Sequence, residues 1–138
     1  MAVETWLIDK SALARLDLSS QVDEWASRIE RGLVFASTLT RLEVGFSARS
    51  AAELRQLSAD VPMSSVITEN LTPAIEARAL GVQLLLAEAG HHRSAGIPDL
   101  LIAATAELSG HTVLHLDKDF ELIASVTGQP HEWLSIAG

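Results

Sequence analysis

Short apolar runs alternate along this chain with longer stretches whose apolar residues recur every three or four positions. Thr5-Trp6-Leu7-Ile8, Leu33-Val34-Phe35-Ala36, Ser64-Ser65-Val66-Ile67 and Thr112-Val113-Leu114-His115-Leu116 have the length and composition of buried strands, and Glu132 to Ile136 reads as a fifth. Between them, Ser11 to Leu16 is a brief helix. Gln21 to Arg31 is a longer one, capped by Ser19-Ser20, striped by Val22, Trp25, Ala26 and Ile29, and stopped by Gly32. Leu39, Leu42 and Phe46 mark the next helix, and Ser50 with Glu53 forms a capping box ahead of Leu54 and Leu57. Thr72-Pro73 opens the longest helix, with Ile75, Ala79, Val82, Leu85 and Leu86 facing inward and Gly90 at its end. After a polar loop from His91 to Gly96, Pro98 starts a helix that runs to Gly110, and Phe120 to Val126 is the last.

Strands alternating with helices predict an α/β fold, a parallel central sheet covered on both faces. At 138 residues, with no repeat, linker or low-complexity segment, the chain reads as a single domain over residues 1–138, large enough to bury a core unaided. It has no cysteine, which removes disulfides, a thiolate nucleophile and Cys-based zinc sites from consideration. Its apolar runs are too short and too interrupted to span a bilayer, and no secretory pattern precedes the first strand. The expectation is a cytoplasmic protein with no membrane partner.

Parallel α/β sheets place their sites outside the carboxyl ends of the strands, where the strand order reverses. Asp9 and Asp117 each follow a strand, Asp99 lies in the first turn of a helix, and Glu43 sits in a helix just past the second strand. Singly, each has an ordinary reading as a cap, a turn residue or an acid favoured by a helix dipole, and Thr40-x-x-Glu43 matches a capping box. If the fold gathers them, the chemistry changes. Two carboxylates about 4 Å apart repel by about 4 kcal/mol at an effective dielectric near 20, and either a proton or a divalent cation must relieve that repulsion. The formal net charge of −8 argues against holding nucleic acid through a bulk positive field, so any such substrate must be held locally.

Four segments carry a resemblance: Leu7-Ile8-Asp9-Lys10-Ser11-Ala12-Leu13, Ser37-Thr38-Leu39-Thr40-Arg41-Leu42-Glu43, Ile97-Pro98-Asp99-Leu100-Leu101-Ile102-Ala103-Ala104 and Val113-Leu114-His115-Leu116-Asp117-Lys118-Asp119-Phe120. In this order and spacing the chain resembles the PIN-domain ribonucleases, specifically the VapC-type toxins of bacterial toxin–antitoxin pairs. The resemblance implies a three-layer PIN fold with about five parallel strands, dependence on Mg²⁺ or Mn²⁺, cleavage of RNA, inhibition by a cognate antitoxin, and a homodimer. By position, Asp9, Glu43, Asp99 and Asp117 correspond to the family's acidic quartet, with Asp9 and Asp99 as its surest metal ligands. Asp119 corresponds to a frequent extra acid and Ser11 to the small hydroxyl residue of the first motif. Leu116 departs from the polar or aromatic residue common at its position.

Those residues suggest a division of labour. Asp9 and Asp99 hold a divalent ion that activates water, Asp117 completes its surroundings, and Glu43 orients the attacking water or helps hold a second ion. Ser11, with no base partner of the Ser-His kind, orients a carboxylate. Lys10, Arg41, Lys118 and His91-His92-Arg93 are candidates for phosphate contacts. With three Trp and three Phe there is little scope for base stacking, which favours a structured transfer or ribosomal RNA recognised by shape. Two other classes compete. A catalytically silent PIN-like module would bind RNA or protein without cutting. A phosphoacceptor receiver domain would need paired acids after the first strand and an Asp after the third, where this chain has Asp9-Lys10-Ser11 and Thr68-Glu69.

Overall fold

The computed structural model describes residues 3–137. Five strands form one wholly parallel sheet: β1 (Trp6–Ile8), β2 (Val34–Ser37), β3 (Ile67–Glu69), β4 (Thr112–His115) and β5 (His131–Trp133). Seven helices accompany them: α1 (Lys10–Leu13), α2 (Val22–Glu30), α3 (Thr38–Phe46), α4 (Ala51–Ala59), α5 (Pro73–Glu88), α6 (Ile97–Ser109) and α7 (Lys118–Thr127). The strand order is β3-β2-β1-β4-β5. The chain therefore builds outward from β1 in one direction, then returns to lay β4 on the other side of β1. That reversal opens the crevice between the carboxyl ends of β1 and β4.

Strand alternation divides the core between two helical layers. Leu7 and its neighbour Val113 face α5, α6 and α7, packing with Ile75, Val82, Leu86, Ile102 and Phe120. Trp6, Ile8 and Leu114 face the opposite way, onto Ala12, Trp25 and Ile29 of α1 and α2. Trp6 and Trp25 meet edge to face at 5.2 Å, and the Arg28 guanidinium lies 4.5 Å and 4.4 Å from the two ring centres. This layer is narrower than the sequence stripe implied, because Val22 and Ala26 remain exposed while only Trp25 and Ile29 are buried on α2. No helix is long and apolar enough to cross a membrane among the described residues.

Three helix starts follow the expected chemistry. Ser50 accepts from the Glu53 amide at 3.1 Å, one half of the expected capping box, while the Glu53 carboxylate pairs with Arg49. Thr72 accepts from the Ile75 amide at 3.2 Å ahead of Pro73, and Pro98 sits in the first turn of α6. The α3 start does not. Ser37 is its cap, accepting from Leu39 N at 3.1 Å, while Thr40 is fully buried inside the helix. Thr40-x-x-Glu43 is therefore no capping box, and Glu43 is a mid-helix residue. The expected first helix is also shorter, ending at Leu13, with a separate 3-10 turn over Leu16–Leu18. The last helix begins earlier than expected, at Lys118.

Two strands lie elsewhere than their apolar runs suggested. Ser64 to Val66 stay out of β3 because their amides are committed locally: Ser64 donates to the Asp60 carbonyl, and Ser65 and Val66 to that of Pro62. Arg41 reinforces this turn, its Nη1 and Nη2 donating to the carbonyls of Met63 and Val66 at 3.1 Å and 2.6 Å. The guanidinium is thus committed to structure, which corrects its candidacy as a phosphate contact. Arg41→Ala is expected to cost about 2 kcal/mol, the loss of charge-assisted bonds to two carbonyls. Chemical denaturation checks this. At the other end, β5 closes at Trp133, because Ile136 leaves the sheet to form an antiparallel bridge with Ser19.

Candidate active site

Asp9 directly follows β1 and caps α1, accepting from the Ala12 amide at 3.1 Å. Ser11 Oγ donates to both of its oxygens, at 2.7 Å and 2.9 Å, and accepts from the Leu116 amide at 2.8 Å. One hydroxyl thus ties the end of β1 to the end of β4. Asp9 is only 4 % exposed. Burial pushes its carboxyl up to about 6, helped by the charge of Asp117, against the opposing hydrogen bonds from Ser11 and Ala12.

Ser11→Ala removes the acceptor of the partly buried Leu116 amide and the support of Asp9 together. The expected cost is about 1–3 kcal/mol of stability and about 10–100-fold in activity, the usual penalty for losing a group that orients a ligand. Because the Ser11 hydrogen bond holds the Asp9 carboxyl down, its removal should also move the acid limb of the pH–rate profile to higher pH. An unmoved limb with intact turnover would show that Asp9 does not depend on Ser11.

Asp117 stands two residues beyond β4 and caps α7, accepting from the Asp119 amide at 2.9 Å. Its own amide donates to His115 Nδ1 at 3.1 Å. That leaves the His115 proton on Nε2, which lies 2.9 Å from His131 Nδ1. His115 is fully buried, and desolvation followed by the His131 charge lowers it to about 4, so the imidazole is neutral at physiological pH. Both ring nitrogens are occupied. His115 therefore supports Asp117 from below and is not available as a ligand.

Asp99 lies in the first turn of α6, next to Gly96, whose amide donates to Asp119 Oδ2 at 3.0 Å. A methyl group on Gly96 would sit 3.4 Å from Oδ2 of Asp99 and 3.7 Å from Oδ2 of Asp119, so the two carboxylates flank this glycine. Asp99 is raised to about 8, first by burial, then by the Asp119 side chain and the charges of Asp117, Asp119 and Asp9. Carboxylate oxygens of Asp99, Asp117 and Asp119 lie within 4.8 Å of one another. The tightest group is therefore Asp99, Asp117 and Asp119, whereas the sequence had put Asp9 and Asp99 foremost and Asp119 as an addition.

A groove of about 460 Å³ runs past Asp99 and Asp117 and is lined by Asp9, Lys10, Ser11 and Glu43 as well. All four acids of the sequence quartet face it. Arg15, which sequence reasoning passed over, lines it as well, one helical turn beyond Ser11. Among the described residues no lysine or arginine forms an ion pair with Asp9, Glu43, Asp99, Asp117 or Asp119. Hard carboxylate oxygens, converging without a basic partner and with two carboxyls forced toward protonation, suit a small divalent cation such as Mg²⁺ or Mn²⁺. The donor set fits the ion.

Comparison with known proteins gives the family. Residues 7–126 match the family model described as PIN domain. The chain is 58 % identical over 135 residues to Ribonuclease VapC2 of Mycobacterium tuberculosis (strain CDC 1551 / Oshkosh), covering 98 % of this chain and 96 % of that one. It is 44 % identical over 133 residues to Ribonuclease VapC51 of Mycobacterium tuberculosis (strain ATCC 25618 / H37Rv), covering 96 % and 95 %. Among solved structures, DNA-bound VapBC from Salmonella typhimurium matches with a TM-score of 0.77 at 18 % identity, covering 96 % of this chain and 99 % of that one. VapBC2 from Rickettsia felis, bound to a promoter DNA fragment, matches with a TM-score of 0.76 at 13 % identity, covering 94 % and 98 %. The family match over most of the chain, the two near-full-length relatives and the reversal-point crevice converge: this protein belongs to the PIN-domain family, in its VapC branch.

Proposed function

We infer that this protein is a metal-dependent endoribonuclease toxin neutralised by a cognate antitoxin. The carrying observation is the convergence of Asp99, Asp117 and Asp119 within 4.8 Å, in a chain 58 % identical to a protein named as a ribonuclease. Asp99, Asp117 and Asp119 would hold Mg²⁺ or Mn²⁺, with Asp9 beside them on the same groove. A divalent ion bound there supplies charge relief on the phosphoryl oxygens, a more acidic attacking water and support for the leaving oxygen. Glu43 faces the groove from α3, where it orients the attacking water and takes its proton. Ser11 fixes the Asp9 carboxylate, and His115 fixes the backbone of Asp117.

No aromatic side chain lines the groove, which supports recognition of a folded transfer or ribosomal RNA by shape rather than by stacked bases. Leu42 and Phe46, on the same helix as Glu43, and Leu54 on α4 lie exposed, Phe46 at 92 %. This face suits the apolar side of an antitoxin helix that places a basic side chain over the acids. A second apolar face, with Leu80, Leu84 and Ile97 exposed along α5 and α6, supports the homodimer.

The test is to map RNA ends generated by the purified chain with Mg²⁺, with Mn²⁺ and with chelator. Cuts that appear only with metal support the reading. Binding without cutting under every condition would leave the silent PIN-like module in its place. Co-expression with a cognate antitoxin should yield a stable complex that no longer cuts.

A further inference from the structure

Two grooves open onto the acidic centre. The first, described above, has Lys10 and Arg15 in its lining. The second, of about 490 Å³, lies between α7 and the end of the 91–96 loop and is lined by Ser94, Lys118, Asp119, Glu121, Leu122 and Ser125, so Lys118 is its one cation beside two acids. They meet at the carboxylate cluster, since Asp99 and Asp117 line the first, Asp119 lines the second, and the three lie within 4.8 Å of one another.

The cations are distributed to match. Of the ten lysines and arginines, Arg28, Arg49 and Arg78 are held in ion pairs and Arg41 is bonded to backbone carbonyls. The other six are Lys10, Arg15, Arg31, Arg55, Arg93 and Lys118. Lys10 and Arg15 line the first groove, Lys118 the second, and Arg93 directly precedes Ser94, a lining residue of the second; all four are exposed. In a protein of net charge −8, four of these six cations thus fall on the two sides of the acids, Arg31 and Arg55 lying elsewhere. A polyanion lying across an acidic centre needs phosphate partners at each side of it, because nothing in the overall field holds it there.

We propose that the RNA strand crosses the centre from one groove into the other. Lys10 and Arg15 hold phosphate on one side of the scissile bond, and Lys118 with Arg93 on the other. The proposal rests on the ribonuclease reading of the same centre and adds the path of the strand and the residues that position it. Arg15 and Lys118 are positioning residues: they hold substrate without touching the reacting phosphate.

The experiment uses a single-stranded RNA oligonucleotide carrying the loop sequence that the wild type cuts, together with two versions of it shortened to a single nucleotide on the 5′ or the 3′ side of the cut. On the full RNA, Arg15→Ala and Lys118→Ala should each raise KM several-fold with little change in kcat. Each should also reduce the salt slope of binding by about 0.7, one single-strand phosphate contact. On the shortened RNAs the two penalties should separate. Arg15→Ala should lose its effect on one truncation and keep it on the other, and Lys118→Ala should do the reverse. The path is overturned if both penalties vanish on the same truncation, or if neither variant moves KM on an RNA that the wild type cuts. A wild type that cuts no RNA in either metal overturns the ribonuclease reading, and the path with it. Circular dichroism of both variants, which alter only exposed side chains, verifies that the fold is intact.

Discussion

Asp99→Asn is expected to abolish RNA cleavage while leaving the metal-free protein at least as stable as the wild type at pH 8. The loss in kcat/KM should be about 10²–10³-fold or more, the scale for removing a group that organises charge at the reacting centre. The stability effect has the opposite sign because the Asp99 carboxyl holds its proton more tightly in the folded chain. Its folded value is about 8 against an ordinary 3.8. Between those values the folded state carries more protons than the unfolded one, so stability falls as pH rises. Asp9 adds to the same slope between 3.8 and about 6. Asparagine carries no charge at any pH and removes the Asp99 contribution. Thermal melts in chelator from pH 5 to 9 should therefore show a downward trend in the wild type that flattens in Asp99→Asn. A variant that melts far below the wild type at pH 8 would mean that Asp99 is a structural acid, and the cleavage loss would then carry no information about mechanism.

Divalent metal should produce the second large effect, and pH should gate it. At a concentration of about 100 times Kd, an ion that binds only the folded chain stabilises it by about 2.7 kcal/mol. For a chain of this size that corresponds to a rise in Tm of about 5–10 °C. The gain should be largest at pH 8 and above, where the Asp99 carboxyl is ionised, and small near pH 5, where protons occupy both Asp99 and Asp9. Isothermal titration in two buffers of different ionisation enthalpy should show proton release on binding at pH 7. A Tm that ignores Mg²⁺ and Mn²⁺ at pH 8 would remove the cation from the account of this site.

The acids at strand ends were visible in the sequence because two simple rules combine there. A short apolar run predicts a buried strand, and the parallel α/β pattern sends strand ends to one side of the sheet. Asp9 and Asp117 satisfy both rules, and β1 and β4 are neighbours at the reversal of strand order. What could not be read depends on partners remote in the chain. The start of β3 is set by a turn that Arg41 holds from 22 and 25 residues away, so neither the displaced strand nor the committed guanidinium has a local signature. Ile136 continues an apolar run that reads as strand, yet it bridges to Ser19, more than a hundred residues earlier. Asp119 looked peripheral because a D-x-D spacing also describes a turn. Its nearness to Asp99 comes from the Gly96 amide in another loop. Arg15 carries no pattern at all, being a lone exposed cation placed at the groove by the short helix that Asp9 starts.

Asp9 and Asp117 each begin a helix with the same carboxylate they present to the groove. The two duties have different tolerances: an amide caps as well as an acid, whereas alanine forfeits the cap at about 1 kcal/mol. Drift in an inactive descendant would thus be restrained at positions 9 and 117 by helix initiation alone. Aspartate persisting there would be weaker evidence that a homologue still works as an enzyme than an acid persisting at 43 or 99, since the cap is one further reason to keep it. Positions 43 and 99 begin no helix and are free of that restraint. In a survey of homologues, those two sites would separate living nucleases from relics.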